Sequence, residues 1–231
     1  MNYLCSVLLT GCILLLTGCA TGPAQPILLD QATTSLANTK MAVVLNEVPK
    51  PNTFFPGAGC LFCIAAAEIT NNKLTTFAKA LPTIDLSKVK TELTELLRAR
   101  GISIIELPAN FTVDSLPDAG KKDAESAKKD FSSMRTQHKL DKIIVLNFSL
   151  IGMQRNYASY IPTGAPVAKV QGLGYLVDIE TNKYQWYQPI DIQKGSEGEW
   201  DEEPKFPGLT NAYFQAIELS KDVVLTPFKS K

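Results

Sequence analysis

Two thiols three residues apart, in Cys60-Leu-Phe-Cys63, form the tightest cysteine spacing in this 231-residue chain. On one helical turn their Cα atoms would lie ~5 Å apart, inside the span of roughly 4.4–6.8 Å that a disulfide bridges. Three chemistries compete for such a pair. A disulfide, or two thiols packed in an apolar turn, needs only proximity, and closing so small a loop stabilises little. A redox couple needs a low-pKa thiolate beside a cation or a helix N-terminus. Here the neighbours are Leu61, Phe62 and Ile64, and the nearest lysine is Lys73. Zinc needs four ligands, but His138 is the sole histidine and no second closely spaced cysteine pair exists. The structural reading is preferred, with thiol-disulfide exchange as its rival and no metal or cofactor expected.

His138 lies between Gln137 and Lys139 with neither a carboxylate orienter nor a Gly-x-Ser-x-Gly elbow in sequence. It reads as a solvated helix-end residue meeting the negative end of the helix dipole, not as a general base. Glu197, Glu199, Asp201, Glu202 and Glu203 crowd around Trp200. Calcium uses clustered carboxylates, but the EF-hand spacing is missing and Lys194 and Lys205 bracket the run, so a solvated loop is expected. Tyrosine and tryptophan concentrate after residue 150. Strands use such residues in cores, and interfaces and sugar sites use them in loops. Tyr157, Tyr160, Trp200 and Phe206 are the residues expected to present a partner surface. No catalytic residue is assigned.

The N-terminus carries a different chemistry. Residues 4–18 are uncharged and largely apolar and end in Leu16-Thr17-Gly18-Cys19. These fifteen residues would cover ~22 Å as a helix, short of the ~30 Å hydrocarbon core of a bilayer. Such a length suits a signal-peptide core. The pattern resembles a bacterial lipoprotein signal and its lipobox, although no lysine or arginine precedes the run. A second box, Leu9-Thr10-Gly11-Cys12, would leave too short an apolar core and would expose Ile13-Leu14-Leu15-Leu16. Lipidation is therefore expected at Cys19. In enterobacterial lipoproteins an aspartate after the cysteine retains the protein at the inner membrane. Ala20 stands there, which implies the periplasmic face of the outer membrane. Lys+Arg and Asp+Glu balance at 23 each, which argues against nucleic acid as a partner.

These groups need a scaffold. Residues 1–18 read as the signal, 19–39 as a lipidated tether whose Ile27-Leu28-Leu29 can dock, and 40–231 as one periplasmic domain. Met41-Ala-Val-Val-Leu45 is an apolar run read as a buried strand. Pro49, Pro51 and Pro56 then break the chain, and residues 54–67 are an apolar stretch that either packs under the sheet or forms an exposed patch. Leu86, Val89, Leu93, Leu96 and Leu97 recur at helical spacing between an Asp85 N-cap and a Gly101 stop. A strand follows from Ile102 to Leu107. Ala124, Ala127, Phe131 and Met134 suggest a second helix. Residues 143–150 form the strongest strand, and 155–166 an aromatic loop. Two strands flanking Thr181-Asn182-Lys183 read as a hairpin, with Pro189 placing the second arm at an edge or bulge. Gly172 and Gly174 mark a bulge or close packing. A helix over residues 209–225 closes the chain. The order β-α-β-α-β-β-β-α gives an α+β fold, a mixed β-sheet with helices packed on it.

Three stretches carry a resemblance: Pro56-Gly-Ala-Gly-Cys-Leu-Phe-Cys-Ile-Ala-Ala-Ala67, Asn156-Tyr-Ala-Ser-Tyr-Ile-Pro-Thr-Gly164 and Lys205-Phe-Pro-Gly-Leu-Thr-Asn-Ala-Tyr-Phe-Gln-Ala216. They resemble a family of uncharacterised proteobacterial lipoproteins, across most of the mature chain. The element order is also similar to periplasmic α/β domains of outer-membrane lipoproteins such as the curli secretion channel and the activators of peptidoglycan synthases. The family carries no known activity to transfer, and a fold alone assigns none; the function expected from the sequence is a non-catalytic envelope lipoprotein, anchored to the membrane through lipid on Cys19, that binds or assembles with an envelope protein. The sequence leaves oligomerisation open. The alternatives are a periplasmic thiol-disulfide protein using Cys60 and Cys63, and a lipoprotein that binds peptidoglycan or another glycan.

Overall fold

The structure is a computed structural model that describes residues 25–30, 36, 38–120 and 123–229. The apolar N-terminal run and Cys19 lie outside the described residues. The expected α+β class is the one the chain adopts, a six-stranded mixed sheet with helices packed on it.

The sheet is organised by β4 (Lys142–Gln154), five residues longer than its sequence signal. One side of β4 pairs antiparallel with β7 (Val167–Asp178), which pairs in turn with β8 (Lys183–Gly195). The other side is shared. Its first half takes β1 (Lys40–Leu45) in parallel, with β3 (Ser103–Ile104) beyond. Its last three residues take β2 (Asn52–Phe54), also in parallel. Gly152 makes that handover: it sits at φ +138°, and a Cβ there would overlap the Asn52 backbone. The proline-rich stretch after β1 thus contains a short strand, because Thr53 and Phe54 find free β4 edge beyond the reach of β1.

Helices cover one face. α4 (Val89–Ala99) and α6 (Pro207–Leu225) pack together on β1, β3, β7 and β8, while α2 (Asn72–Lys79) lies on β2 and β4. Their core joins Leu93 and Leu97 to Ile144, Leu146, Val170, Leu176 and Trp186. The buried stripe of α6 includes all the expected positions Ala212, Tyr213, Ala216, Ile217, Ser220 and Val224. Gly174 is bare because the Trp186 indole occupies the space over it. On the opposite face, Ile143, Val145, Val177 and Tyr184 are covered by Phe131, Leu140 and α5 (Ser132–His138).

Several boundaries differ from the sequence reading. The apolar stretch becomes α1 (Leu61–Thr70), a short helix. Asp85 does not cap the long helix: it lies in α3 (Ile84–Ser87), where Lys88 holds it at 2.8 Å. Ala124 and Ala127 are not helical, since Ser126 and Asn182 bind that segment to the β7–β8 turn instead. The strand after Gly101 is only two residues long, because Pro108 and the following turn leave β1. Within the aromatic loop, β5 (Tyr157–Ala158) and β6 (Ile161–Pro162) form a tiny hairpin. Ile27 docks as its sequence suggests, exchanging two 2.9 Å backbone hydrogen bonds with Tyr187 on the outer edge of β8. Among the described residues the pairing continues no further toward the N-terminus, where Gln25 would meet Pro189, which has no N–H.

Two buried lysines are paired within the sheet, Lys169 with Asp191 and Lys142 with Asp178. Lys142 is buried and reaches Asp178 at 3.1 Å and Gln185 at 2.7 Å. Gln185 is free to do so because it is the extra residue of the β8 bulge, where Leu176 pairs with Trp186 and Val177 with Tyr184. Burial alone would raise the Asp178 carboxyl, but donation from Thr181 and Lys142 outweighs it and holds the carboxyl below its ordinary value. That stabilisation is therefore present above the ordinary carboxylate range and is lost as pH falls through the lowered folded value. Asp178→Ala, which strands a buried ammonium, is expected to cost about 3 kcal/mol in urea unfolding at neutral pH. Asp178→Asn is expected to flatten the acid limb of the stability profile, and an unchanged acid limb would remove Asp178 from this role.

Candidate functional site

The residues singled out in sequence converge at one end of the sheet, where β2 and β4 stop and α1 begins. Phe54 accepts a backbone hydrogen bond from Arg155, and Pro56 accepts one from Tyr157 at 2.8 Å, so the chain leaving β4 is tied to the chain leaving β2. Ser159 turns the β5–β6 hairpin at φ +60°. Its hydroxyl lies 3.3 Å from the Cys63 sulfur, and the Tyr160 hydroxyl lies 3.8 Å from the Cys60 sulfur.

Cys60 and Cys63 are joined as a disulfide across the first turn of α1, with Cα atoms 4.9 Å apart. Cys60 occupies the N-cap position in extended conformation, and its sulfur accepts the Cys63 N–H at 3.0 Å. Cys60 is exposed and Cys63 is buried. The sequence reading found no cation or helix N-terminus for this pair; the fold supplies the helix N-terminus.

Asn71, at the break between α1 and α2, is the hub that sequence reasoning missed. It is 3% exposed. Its amide donates to the Ala67 carbonyl at 2.7 Å and to the Tyr157 hydroxyl at 2.6 Å, while its oxygen accepts from Arg155 at 2.9 Å. Arg155 also donates to the Gly164 carbonyl and lies over the Trp200 ring, 4.7 Å from its centroid. One amide thus couples α1, α2, the hairpin and the acidic loop. The only sequence signal was the Asn71-Asn72 interruption of an apolar run.

A cleft of about 370 Å³ opens beside this hub, bordered by Asn72, Lys73, Trp200, Asp201 and Glu203. Lys73 and Glu203 pair across it at 2.5 Å. Of the four residues expected to form a partner surface, Tyr160 is 59% exposed and Trp200 is partly exposed. Tyr157 and Phe206 are buried and correct that expectation. Tyr157 is held by Asn71 and lies edge-on to Phe55, and Phe206 packs on Phe77 with ring centroids 4.9 Å apart. Phe206 adopts φ +44° at the start of α6, a conformation a bulky side chain takes only when its surroundings hold it there. Among the described residues no three His, Cys, Asp or Glu side chains converge as a metal site requires. His138 ends α5, far along the chain from this cluster.

No protein-family model and no curated protein sequence matches the chain. Among solved structures it is similar to a DUF330 protein of Xanthomonas campestris, at 11% identity, 89% of this chain, 93% of that chain and TM-score 0.40. It is similar to the lipoprotein GNA1162 of Neisseria meningitidis at 15% identity, 78% of this chain, 99% of that chain and TM-score 0.31. It is also similar to PelC of Paraburkholderia phytofirmans, solved as a dodecamer, at 12% identity, 86% of this chain, 94% of that chain and TM-score 0.33. The likeness is distant, and it assigns no function.

Asn71→Leu strips partners from Tyr157 and Arg155 in a buried setting and is expected to cost about 2 kcal/mol in urea unfolding. Arg155→Ala is expected to raise acrylamide quenching of Trp200, with buried Trp186 contributing a constant background. Quenching at the wild-type level would place the guanidinium away from the indole in solution.

Proposed function

We propose that this chain is a lipid-anchored protein of the bacterial cell envelope, held through Cys19 at the periplasmic face of the outer membrane, which binds or assembles with an envelope protein. The observation that carries the reading is Leu16-Thr17-Gly18-Cys19 at the end of an uncharged apolar run too short to cross a bilayer. The docking of Ile27 on β8 supports it, because it brings the chain that follows Cys19 onto the folded domain. The cleft beside Trp200 is the partner surface in this reading. It joins an indole with one partly accessible face to the carboxylates of Asp201 and Glu203, the mixture of anchor and polar rim that protein interfaces use.

Mass spectrometry of the purified protein is expected to find residue 19 as the N-terminus, carrying acyl chains, with Cys19→Ser leaving the protein unlipidated. A bare residue 19 with the first eighteen residues retained would end the reading. In-cell crosslinking from outer membranes is expected to capture one envelope protein with the wild type and to lose it with Trp200→Ala.

A second reading rests on a separate observation, the exposed Cys60 at a helix N-cap with Cys63 buried one turn on. In the reduced protein the N-terminus of α1 would stabilise a Cys60 thiolate. That thiolate would attack a substrate disulfide and expel one substrate thiolate, and the Cys63 thiolate would then attack the Cys60 sulfur of the mixed disulfide and expel the second substrate thiolate, leaving the pair oxidised and the substrate reduced. Alkylation of the mildly reduced protein across pH tests it. A Cys60 thiol that reacts only above the ordinary thiol range would dismiss it.

A further inference from the structure

We infer that the end of the domain formed by α1 and the β5–β6 hairpin is a membrane-contacting face, seated on the bilayer into which the Cys19 lipid inserts. This inference rests on the anchoring proposed above and adds to it a surface and an orientation.

The first observation is an apolar patch that nothing in the fold covers. Leu61, Phe62 and Ile69 on α1 are 80%, 76% and 78% exposed, and Ile161 at the hairpin is 69% exposed. Ile64 and Tyr160 complete the surface. Helical spacing puts Phe62 and Ile69 (i, i+7) on one side of α1 with Leu61 beside them and Ile64 on the flank, while Cys63 and Ala67 face inward. The hairpin is held beside the first turn of that helix by the contacts of Ser159 and Tyr160 with the two cysteine sulfurs. Isolated exposed apolar residues are ordinary, but a contiguous group of large ones marks a surface that something covers. A helix presenting leucine, phenylalanine and isoleucine to the acyl boundary is what interfacial insertion requires.

The second observation identifies the occupant. Ile27 pairs antiparallel with Tyr187, so Gln25 and Pro26 lead toward the end of β8 that follows Tyr187. That end is Gly195, level with Val167 on β7 and, through it, with Gln154 on β4. Gln154 immediately precedes the hairpin that borders the patch. Cys19 lies eight residues before Ile27, and eight residues span at most ~28 Å. Eight strand residues from Tyr187 to Gly195 cover a similar distance. The described part of the docked segment runs toward the end of the sheet where the apolar patch is exposed, and eight residues are enough for Cys19 to lie at a bilayer on which that end is seated.

The test uses the full lipidated protein in vesicles of phosphatidylethanolamine and phosphatidylglycerol. Single spin labels are placed at Ile69→Cys and Ile161→Cys, with Lys128→Cys at the opposite end as control. All three positions are exposed, so the labels need no change in packing. At 69 and 161, collisions with membrane-enriched oxygen are expected to exceed those with a water-soluble nickel chelate, and at 128 the order is expected to reverse. If mass spectrometry finds Cys19 acylated while 69 and 161 meet the chelate as readily as 128 does, the face is overturned and the anchor survives. Spin–spin broadening at 69 that disappears on dilution with unlabelled protein would assign the patch to a second copy and overturn the bilayer. A bare residue 19 would remove both the anchor and the face.

Discussion

The fold depends on one strand being paired along both of its sides and buried on both of its faces. Ile143, Ile144, Val145 and Leu146 are fully buried in β4, two toward the helices and two toward α5. β4 alone holds β1 and β2 along one side and β7 along the other, while the equally long β8 lies at the edge. Its parallel partners come from the N-terminal half of the chain and its antiparallel partner from the C-terminal half. Burying β4 is therefore the step that joins distant sequence, and interactions of high sequence separation of this kind set the folding time of such sheets.

The same strand delivers the candidate site. A bulge between Phe148 and Leu150 shifts its register, so Ile151 and Met153 return to the helix-covered core. The strand then runs out at Gln154, and the next residue is Arg155. The arginine meets Asn71 because β2, lying beside the last residues of β4, feeds directly into α1 and α2. A buried amide with three partners is costly to disturb. Such a hub holds loops that carry little apolar surface of their own in a fixed relation to the helices.

Much of this was legible from residue patterns. The helices over Leu93 and over Ala216 were marked by period, and the hairpin by Thr181-Asn182-Lys183, since burial of one face repeats along the sequence. The edge position of β8 was legible from Pro189, which has no N–H to give a neighbour. β2 carried no signal because three residues are too few for a period. Residues 123–130 carried a misleading one: alanines at helical spacing are apolar enough for a helix, but hydrogen bonds from Asn182 hold their backbone elsewhere. The site was half legible. Aromatics and cysteines announce themselves by type, and they do gather at one end. Which of them face outward depended on Asn71 and Phe77, whose partnerships across the fold leave no local trace, so Tyr157 and Phe206 turned inward.

The placement of Pro189 has a further outcome for many copies sharing one surface. Proteins tethered in a plane meet each other repeatedly in the same orientation, the arrangement in which an open strand edge recruits its own kind. On β8 that edge is closed at Tyr187 by Ile27 and interrupted at Pro189, so a neighbour finds a short stretch around Asp191, whose carboxylate is paired with Lys169, and the exposed Gln193. Short, charged, proline-broken edges are poor templates. Under the anchoring proposed above, crowding in two dimensions leaves the β8 edges apart, and an ordered array of these molecules would be built through other surfaces.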